Sequence, residues 1–106
     1  EIRISNEVLA TLAGISAIGC YGIVGMASKR ATDGLVELLG SDNLSRGVKV
    51  TTQGNELSID LFIIVEYGIS ISAVAQNIID TVKYNVEKLT GVTVNTVNIK
   101  VEGVRV

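Results

Sequence analysis

The chain of 106 residues is long enough to bury the core of one domain, so residues 1–106 are predicted to form a single domain. Hydrophobic residues make up 47% and charged residues 19%, which excludes a disordered chain. The net charge of −2 and the presence of only three tyrosines and one phenylalanine argue against a dedicated nucleic-acid surface. Histidine is absent, which removes the usual general base and the commonest metal ligand.

The single cysteine, Cys20, excludes an internal disulfide and favours a reducing, cytosolic setting. One stretch challenges that interpretation, because residues 8–28 carry no charge and are long enough to span a bilayer. The stretch contains four glycines, and its second half resembles a strand. We interpret it as a buried helix followed by a buried strand and expect no direct membrane span.

The first predicted elements are a short strand, Glu1–Ile4, and a helix from about Asn6 to Ile18 that Ser5 caps. The apolar face of this helix is predicted to consist of Val8, Leu12 and Ile15, with Leu9 beside them. Smaller residues would let the helix backbone approach a sheet closely; they are Ala10, Ala13, Gly14 and Ala17.

Glycines at positions 19 and 22 end the first helix, and Ile23–Ala27 follows as a buried strand. Thr32–Gly40 is predicted to be a short helix, with Thr32 as its cap and three leucines on its buried side. A polar connection then leads to the next strand.

The clearest local pattern is a β-hairpin over residues 47–68. Gly54-Asn55 lies between two alternating runs, and a pair that begins with Gly suits a two-residue turn with positive φ. Pairing around that turn places Val50 opposite Ile59, Val48 opposite Leu61, and Lys49 opposite Asp60. A slip by one residue would expose a whole row of apolar side chains, so this register is favoured.

After the hairpin the apolar period changes from two to about 3.6, which predicts a second long helix capped by Ser70 or Ser72 and ended by Gly91. Its apolar stripe is predicted to be Val74, Ile78, Val82, Val86 and Leu89. The last run, residues 92–106, is predicted to be extended, with a bulge at Gly103 where the alternation changes phase. These elements predict the α+β class: a two-layer sandwich with a mixed β-sheet of about five strands and two long helices on one face.

The candidate catalytic and binding groups each have a structural alternative. Cys20 has no histidine to activate it, so we interpret it as a buried, inert thiol. Residues 22–25 match the GxxG tetrad that clamps nucleic acid in KH domains, but Ile23 and Val24 favour a strand edge. Asp60 and Glu66 share a strand face, yet about 20 Å of strand rise is too far for a carboxylate pair.

A small basic patch and a calcium loop are the other candidates. Lys29, Arg30, Arg46 and Lys49 could converge, although a solvated rim is the simpler interpretation for an acidic chain. Asp33, Asp42 and Asn43 are too sparse for a calcium loop. The sequence therefore predicts no enzyme, no cofactor and no metal site.

One pair of residues suggests a contact surface. Phe62 and Ile64 are predicted to lie on the outer face of the hairpin, among polar residues such as Asp60 and Glu66. Exposed apolar spots of this kind mark partner contacts more often than chance. The alternative is that the short helix or a terminal segment covers them.

Taken together, these stretches resemble the alkaline shock protein family of Gram-positive bacteria, also called the envelope stress response family. The resemblance rests on ISNEVLATLAGISA, YGIVGMASK, GVKV, IDLFIIVEYG, VEKLTGV and VNIKVEGVRV, in that order along the chain. It implies a small cytosolic α+β protein without known enzymatic chemistry. It also implies self-association in at least some members, and a location near the membrane through a separate membrane-embedded partner, as in the better-studied relatives. It supplies no catalytic residues.

Three functions therefore compete. The first is a non-enzymatic scaffold or adaptor in the envelope stress response or envelope homeostasis, which forms a homo-oligomer and binds a membrane-anchored protein. The second is a ligand-binding or regulatory domain that partners a lipid or cell-wall enzyme, with a pocket lined by Met26, Leu35 and Leu39. The third is an RNA-binding module that uses the GxxG turn and the basic rim, although the charge balance predicts no nucleic-acid partner.

Overall fold

The computed structural model describes residues 4–27 and 45–106. The elements in these ranges are α1 (Asn6–Ile18), β1 (Ile23–Met26), β2 (Val48–Gln53), β3 (Glu56–Glu66), α2 (Ile71–Thr90) and β4 (Thr96–Arg105). Their order and type are as predicted. The predicted short helix Thr32–Gly40 and the first three residues of the predicted strand Glu1–Ile4 lie outside the described residues.

The sheet is built around β3, the longest strand. β4 runs parallel to β3 along one edge, where residues 58–66 of β3 face residues 96–105. β2 and β1 are both antiparallel to β3, pairing with residues 56–61 and 63–65 respectively. β4 pairs with one edge of β3 along residues 58–66, so β2 and β1 share the other edge of β3, where they lie end to end. The sheet is mixed, as predicted, with four strands in the described ranges rather than about five.

The β2–β3 hairpin has the predicted register. Val50 faces Ile59, Val48 faces Leu61, and the pair Gln53 and Glu56 closes a two-residue turn. Gly54 has φ +64°, while no residue other than glycine has positive φ in the described ranges. Positive φ at the first turn position alone is the pattern of a type II′ turn, which follows the twist of the strands and requires glycine there.

Helix α1 begins and ends where the sequence predicts, but its buried face is different. The Ser5 hydroxyl accepts a hydrogen bond from the Val8 amide at 3.2 Å, which caps the helix as expected. The residues that pack into the core are Leu9 and the small ones, Ala10, Ala13, Gly14 and Ala17. The prediction that Val8 and Ile15 face the core is wrong, because both are exposed. Small side chains let the helix axis approach the sheet, and Val8 and Ile15 are turned away from it.

Helix α2 follows the predicted stripe through most of its length. Ile78, Val82 and Val86 are fully buried, whereas Leu89, predicted to complete the stripe, is exposed in the last turn. Gly91 ends the helix in the left-handed conformation, and its amide donates to the Glu87 carbonyl at 2.8 Å.

Side chains join the last turn of α1 to the second half of α2. The Asn85 amide nitrogen donates to the Ser16 hydroxyl oxygen at 3.2 Å, and the Ser16 hydroxyl donates to the Leu12 carbonyl at 2.8 Å. Both helices bury their inner faces in one core cluster with alternate residues of β3: Leu57, Ile59, Leu61, Ile63 and Val65. The helices therefore cover one face of the sheet, which confirms the two-layer α+β sandwich.

The chain between Val8 and Ala27 forms α1, a turn and β1 rather than one long helix. Among the described residues, no helix is long and apolar enough to cross a membrane. A bulge interrupts the pairing of β3 with β4, where Ile63 faces Val101 but Ile64 faces Gly103. The predicted bulge at Gly103 is thus confirmed.

Candidate functional site

The predicted contact pair, Phe62 and Ile64, lies on the face of β3 opposite the helices. Neither residue belongs to the core cluster that the helices cover. Ile64 is nevertheless only 6% exposed, and Phe62 is half-buried. Ile64 therefore offers almost no surface to a partner, and the accessible part of this spot is the Phe62 ring. The residue of β4 that pairs with Phe62 is polar: it is Lys100.

Cys20 is buried at the end of α1, as the sequence predicts. Its thiol lies 3.6 Å from the Ser16 carbonyl oxygen, which accepts a weak hydrogen bond from it. This is the environment of a structural thiol packed under a helix end.

In the GxxG tetrad, Gly25 lies in strand β1 and Gly22 lies in the turn just before it. Ile23 and Val24 lie in β1, where Ile23 pairs with Val65. Gly22 is buried with φ +89°, and a Cβ there would lie 2.9 Å from Ile69 Cδ1. Gly22 is therefore a point of close packing between the α1–β1 turn and the chain entering α2, which confirms the interpretation as a strand edge.

The charged side chains lie mainly on the outer sheet face and its rim. Lys49 faces Asp60 across the hairpin, and Asn98 donates to the Asp60 carboxylate at 2.8 Å. Arg46 and Lys49 line one open groove, of which Glu7 also forms part. Lys29 and Arg30, the other members of the predicted basic patch, lie outside the described residues, as do Asp33, Asp42 and Asn43. In the described ranges, no cluster of three or more Cys, Asp or Glu residues could hold a metal ion.

An open groove of about 440 Å³ lies at the end of the sheet, between the α1–β1 turn and the start of α2. Apolar and polar groups share its lining: Tyr21, Gly68, Ile69, Ser70, Ala73, Val74 and Asn77. The pocket predicted from Met26, Leu35 and Leu39 is not at this place. Met26 is fully buried in the core, and the two leucines lie outside the described residues.

The largest departure from the sequence prediction is the outer face of α1. Val8 is 48% exposed, Ile15 is 53% exposed and Ile18 is 38% exposed. Leu12, between them, is half-buried. The signal for this face was present in the sequence, because α1 is apolar on both sides and only one side can face the sheet. Sequence reasoning assigned the larger residues to the core and so missed it.

The chain matches the sequence model of the alkaline shock protein 23 family, described as having a cell envelope-related function, over residues 1–106. It is similar to the uncharacterized protein YloU of Bacillus subtilis (strain 168), at 54% identity over 107 residues that cover 100% of this chain and 89% of the relative. It is also similar to the uncharacterized protein Spy1614 of Streptococcus pyogenes serotype M6, at 40% identity over 99% of this chain and 88% of the relative. No solved structure matches the chain.

Proposed function

The chain belongs to the alkaline shock protein 23 family, whose function is related to the cell envelope, and from this premise we propose that it is a non-enzymatic scaffold or adaptor protein of the envelope stress response or envelope homeostasis. In this role it assembles with further copies of itself in the cytoplasm. A membrane-anchored protein partner recruits it to the membrane.

The observation that carries this proposal is the exposed apolar face of α1. Val8 and Ile15 each leave about half of their surface in water, on a helix with one charged residue, Glu7, near its start. Burying such side chains against another protein stabilises an assembly by about 25 cal/mol for each Å² removed from water. The burial of this face is the source of free energy for the proposed assembly.

Two further features support the non-enzymatic part of the proposal. The thiol of Cys20, the single cysteine, is buried and packed against the Ser16 carbonyl. The carboxylate of Asp60 accepts a hydrogen bond from Asn98 in a row of cross-strand pairs. Each group has a structural role that accounts for its position.

Light scattering after size exclusion, over a wide range of concentrations, tests the self-assembly. We expect a mass that rises with concentration above the 11.2 kDa of one chain. A mass that stays at one chain throughout would overturn the scaffold proposal.

Flotation with protein-free vesicles of bacterial phospholipid tests recruitment through a partner. We expect the purified chain to stay with the soluble fraction, and to float only when the vesicles carry membrane proteins from the host. Flotation with protein-free vesicles would show direct lipid binding and contradict the adaptor role.

A second candidate function is a small ligand-binding or regulatory domain that partners a lipid or cell-wall enzyme. The groove of about 440 Å³ beside Tyr21 favours it, because small-molecule sites commonly fall between about 300 and 1,000 Å³. Titration with small aromatic and aliphatic amphiphiles, followed by amide NMR shifts, tests this function. Saturable shifts confined to Tyr21, Ile69 and Val74 would support it, and unsaturable or scattered shifts would overturn it.

A further inference from the structure

The exposed apolar residues of α1 lie beside a second helix, α2. The hydrogen bond from Asn85 to Ser16 fixes the two helices side by side. Tyr84 precedes Asn85 on α2 and is 60% exposed. We call the surface made by these two helices the helix-layer patch; its apolar residues are Val8, Leu12, Ile15, Ile18 and Tyr84.

The residues along the outer face of α1 recur at the spacing of a helix-packing seam. Val8, Thr11, Ile15 and Ile18 are separated by three, four and three positions. This alternation of three and four keeps side chains on one stripe, where they can insert between the residues of a second helix. The stripe is therefore suited to receive another helix lengthwise.

We propose that the occupant of the helix-layer patch is the same patch of a second copy, with the two α1 helices antiparallel about a two-fold axis. Placing that axis between Thr11 and Leu12 sets Val8 of each copy opposite Ile15 of the other. The inference rests on the self-association proposed above and names its surface.

Charge supports a second copy as the occupant. In a two-fold contact each copy presents the same surface, so any charge at the centre of the patch would lie close to its own equivalent. α1 has no charged residue after Glu7, although the chain as a whole carries a net charge of −2. The outer face of α1 is thus a surface on which two copies can meet without like-charge repulsion at the centre.

The same charge distribution argues against a lipid surface as the occupant. Helices that lie on anionic membranes carry lysine or arginine on their polar side, because these residues bind the headgroups. Residues 4–27, which include α1 and β1, contain neither lysine nor arginine. The lysines of the helix layer, Lys83 and Lys88, lie on α2, where the Lys88 ammonium is 5.5 Å from the centre of the Tyr84 ring.

The size of the patch predicts a weak dimer. The exposed fractions of its side chains leave roughly 400 Å² accessible, about half of the roughly 800 Å² that each partner contributes to a standard interface. Polar residues at the rim add to this area. We therefore expect an association that depends on concentration.

The first test is the Ile15→Asp variant, compared with the parent chain by sedimentation equilibrium. In each dimer both new carboxylates would be buried against Val8 of the other copy, so the dissociation constant should rise about a hundredfold or more. The matched control is Val104→Asp, since Val104 is 51% exposed and lies on β4, away from α1. The control should dimerise like the parent.

The second test determines the orientation and needs no disruptive change. Val8→Cys and Ile15→Cys are made separately in a Cys20→Ser background, which removes the native thiol. The two variants are then mixed in equal amounts and mildly oxidised. The mixture should form a disulfide-linked dimer at least about tenfold faster than either variant alone. Disulfides need Cα atoms within about 7 Å, and the proposed dimer brings position 8 of one copy next to position 15 of the other. Equal or faster coupling of Val8→Cys with itself would overturn the antiparallel arrangement.

The outcomes separate this inference from the proposed scaffold role. If the parent chain stays a single chain at every concentration, both proposals fail. If the parent assembles and Ile15→Asp assembles equally well, only the helix-layer patch fails as the interface. If Ile15→Asp alters only the binding of anionic vesicles, the occupant is a lipid surface and the second-copy proposal is overturned. Circular dichroism checks that both Asp variants are folded, and the cysteine pair decides the question if either is not.

Discussion

Asn95 and Leu57 are joined by two hydrogen bonds that connect the end of the α2–β4 loop to the start of β3. The Leu57 amide donates to the Asn95 side-chain oxygen at 2.8 Å, and the Asn95 amide donates to the Leu57 carbonyl at 2.9 Å. The parallel pairing of β3 with β4 begins one residue further along each segment, where Ser58 faces Thr96. The pair thus sets the register of the parallel strand.

Replacing Asn95 by alanine should therefore destabilise the fold. Because the change leaves the Leu57 amide without its acceptor in a part-buried place, we expect a loss of about 1–3 kcal/mol in the free energy of unfolding. Urea unfolding measures this loss. The control is Asn98→Ala, which removes the exposed hydrogen bond to Asp60 and should cost less than about 1 kcal/mol. Equal losses for the two variants would contradict the role of Asn95.

Gly22 provides a second stability prediction. Its backbone has φ +89°, and an added Cβ would lie 2.9 Å from Ile69 Cδ1 and 3.2 Å from Val74 Cγ2. Gly22→Ala combines backbone strain with a steric clash, so it should cost about 2–4 kcal/mol in the free energy of unfolding.

Gly68 supplies the matched control for Gly22. It has the same φ of +89°, but nothing lies within 4 Å of its added Cβ. Gly68→Ala should therefore show the backbone cost alone, about 1 kcal/mol. Thermal unfolding of both variants separates the two effects. An equal loss at both positions would show that the contact with Ile69 does not constrain the fold.

The two helix caps make a third prediction, because they differ in one hydrogen bond. The Ser5 hydroxyl accepts from the Val8 amide, whereas the Ser70 side chain makes no capping hydrogen bond to α2. Ser5→Ala should lower the free energy of unfolding by about 0.5–2 kcal/mol, and Ser70→Ala should change it by less than about 0.5 kcal/mol. Urea unfolding compares the two. A larger loss at Ser70 would contradict this assignment of the caps.

The hairpin could be predicted from the sequence because its determinants are local. Gly54-Asn55 specifies the turn, and alternation on both sides of it specifies which residues face the core, so the pairing of Val48 with Leu61 followed. Helix α2 was predicted for a similar reason, since its apolar residues form one stripe. Leu89 was the exception, because the stripe continues one turn beyond the part of the helix that packs against the sheet.

The buried face of α1 and the groove beside Tyr21 could not be predicted in the same way. In α1 both faces are apolar, so the period of 3.6 gives the helix but not its orientation. The choice depends on how closely the helix approaches β1 and β2, which is a tertiary property. The groove joins Tyr21 to Ile69 and Val74, residues far apart in the sequence, and it exists only after Gly22 brings these segments together.

The orientation of α1 makes the last prediction, in which the smaller side chain has the larger effect. Ala13 is fully buried against the sheet, whereas Ile15 is about half exposed on the other side. Ala13→Leu adds three carbon atoms to a closely packed contact and should cost about 1–3 kcal/mol in the free energy of unfolding.

Ile15→Ala removes a larger side chain from the outer face of the same helix. Because that side chain is not packed in the core, the monomer should lose less than about 1 kcal/mol, and the change to alanine favours the helix slightly. Urea unfolding at a protein concentration low enough to keep both variants monomeric measures the two losses without a contribution from self-association. A large loss for Ile15→Ala together with a small one for Ala13→Leu would mean that α1 faces the sheet with its larger residues. That result would remove the basis for the helix-layer patch.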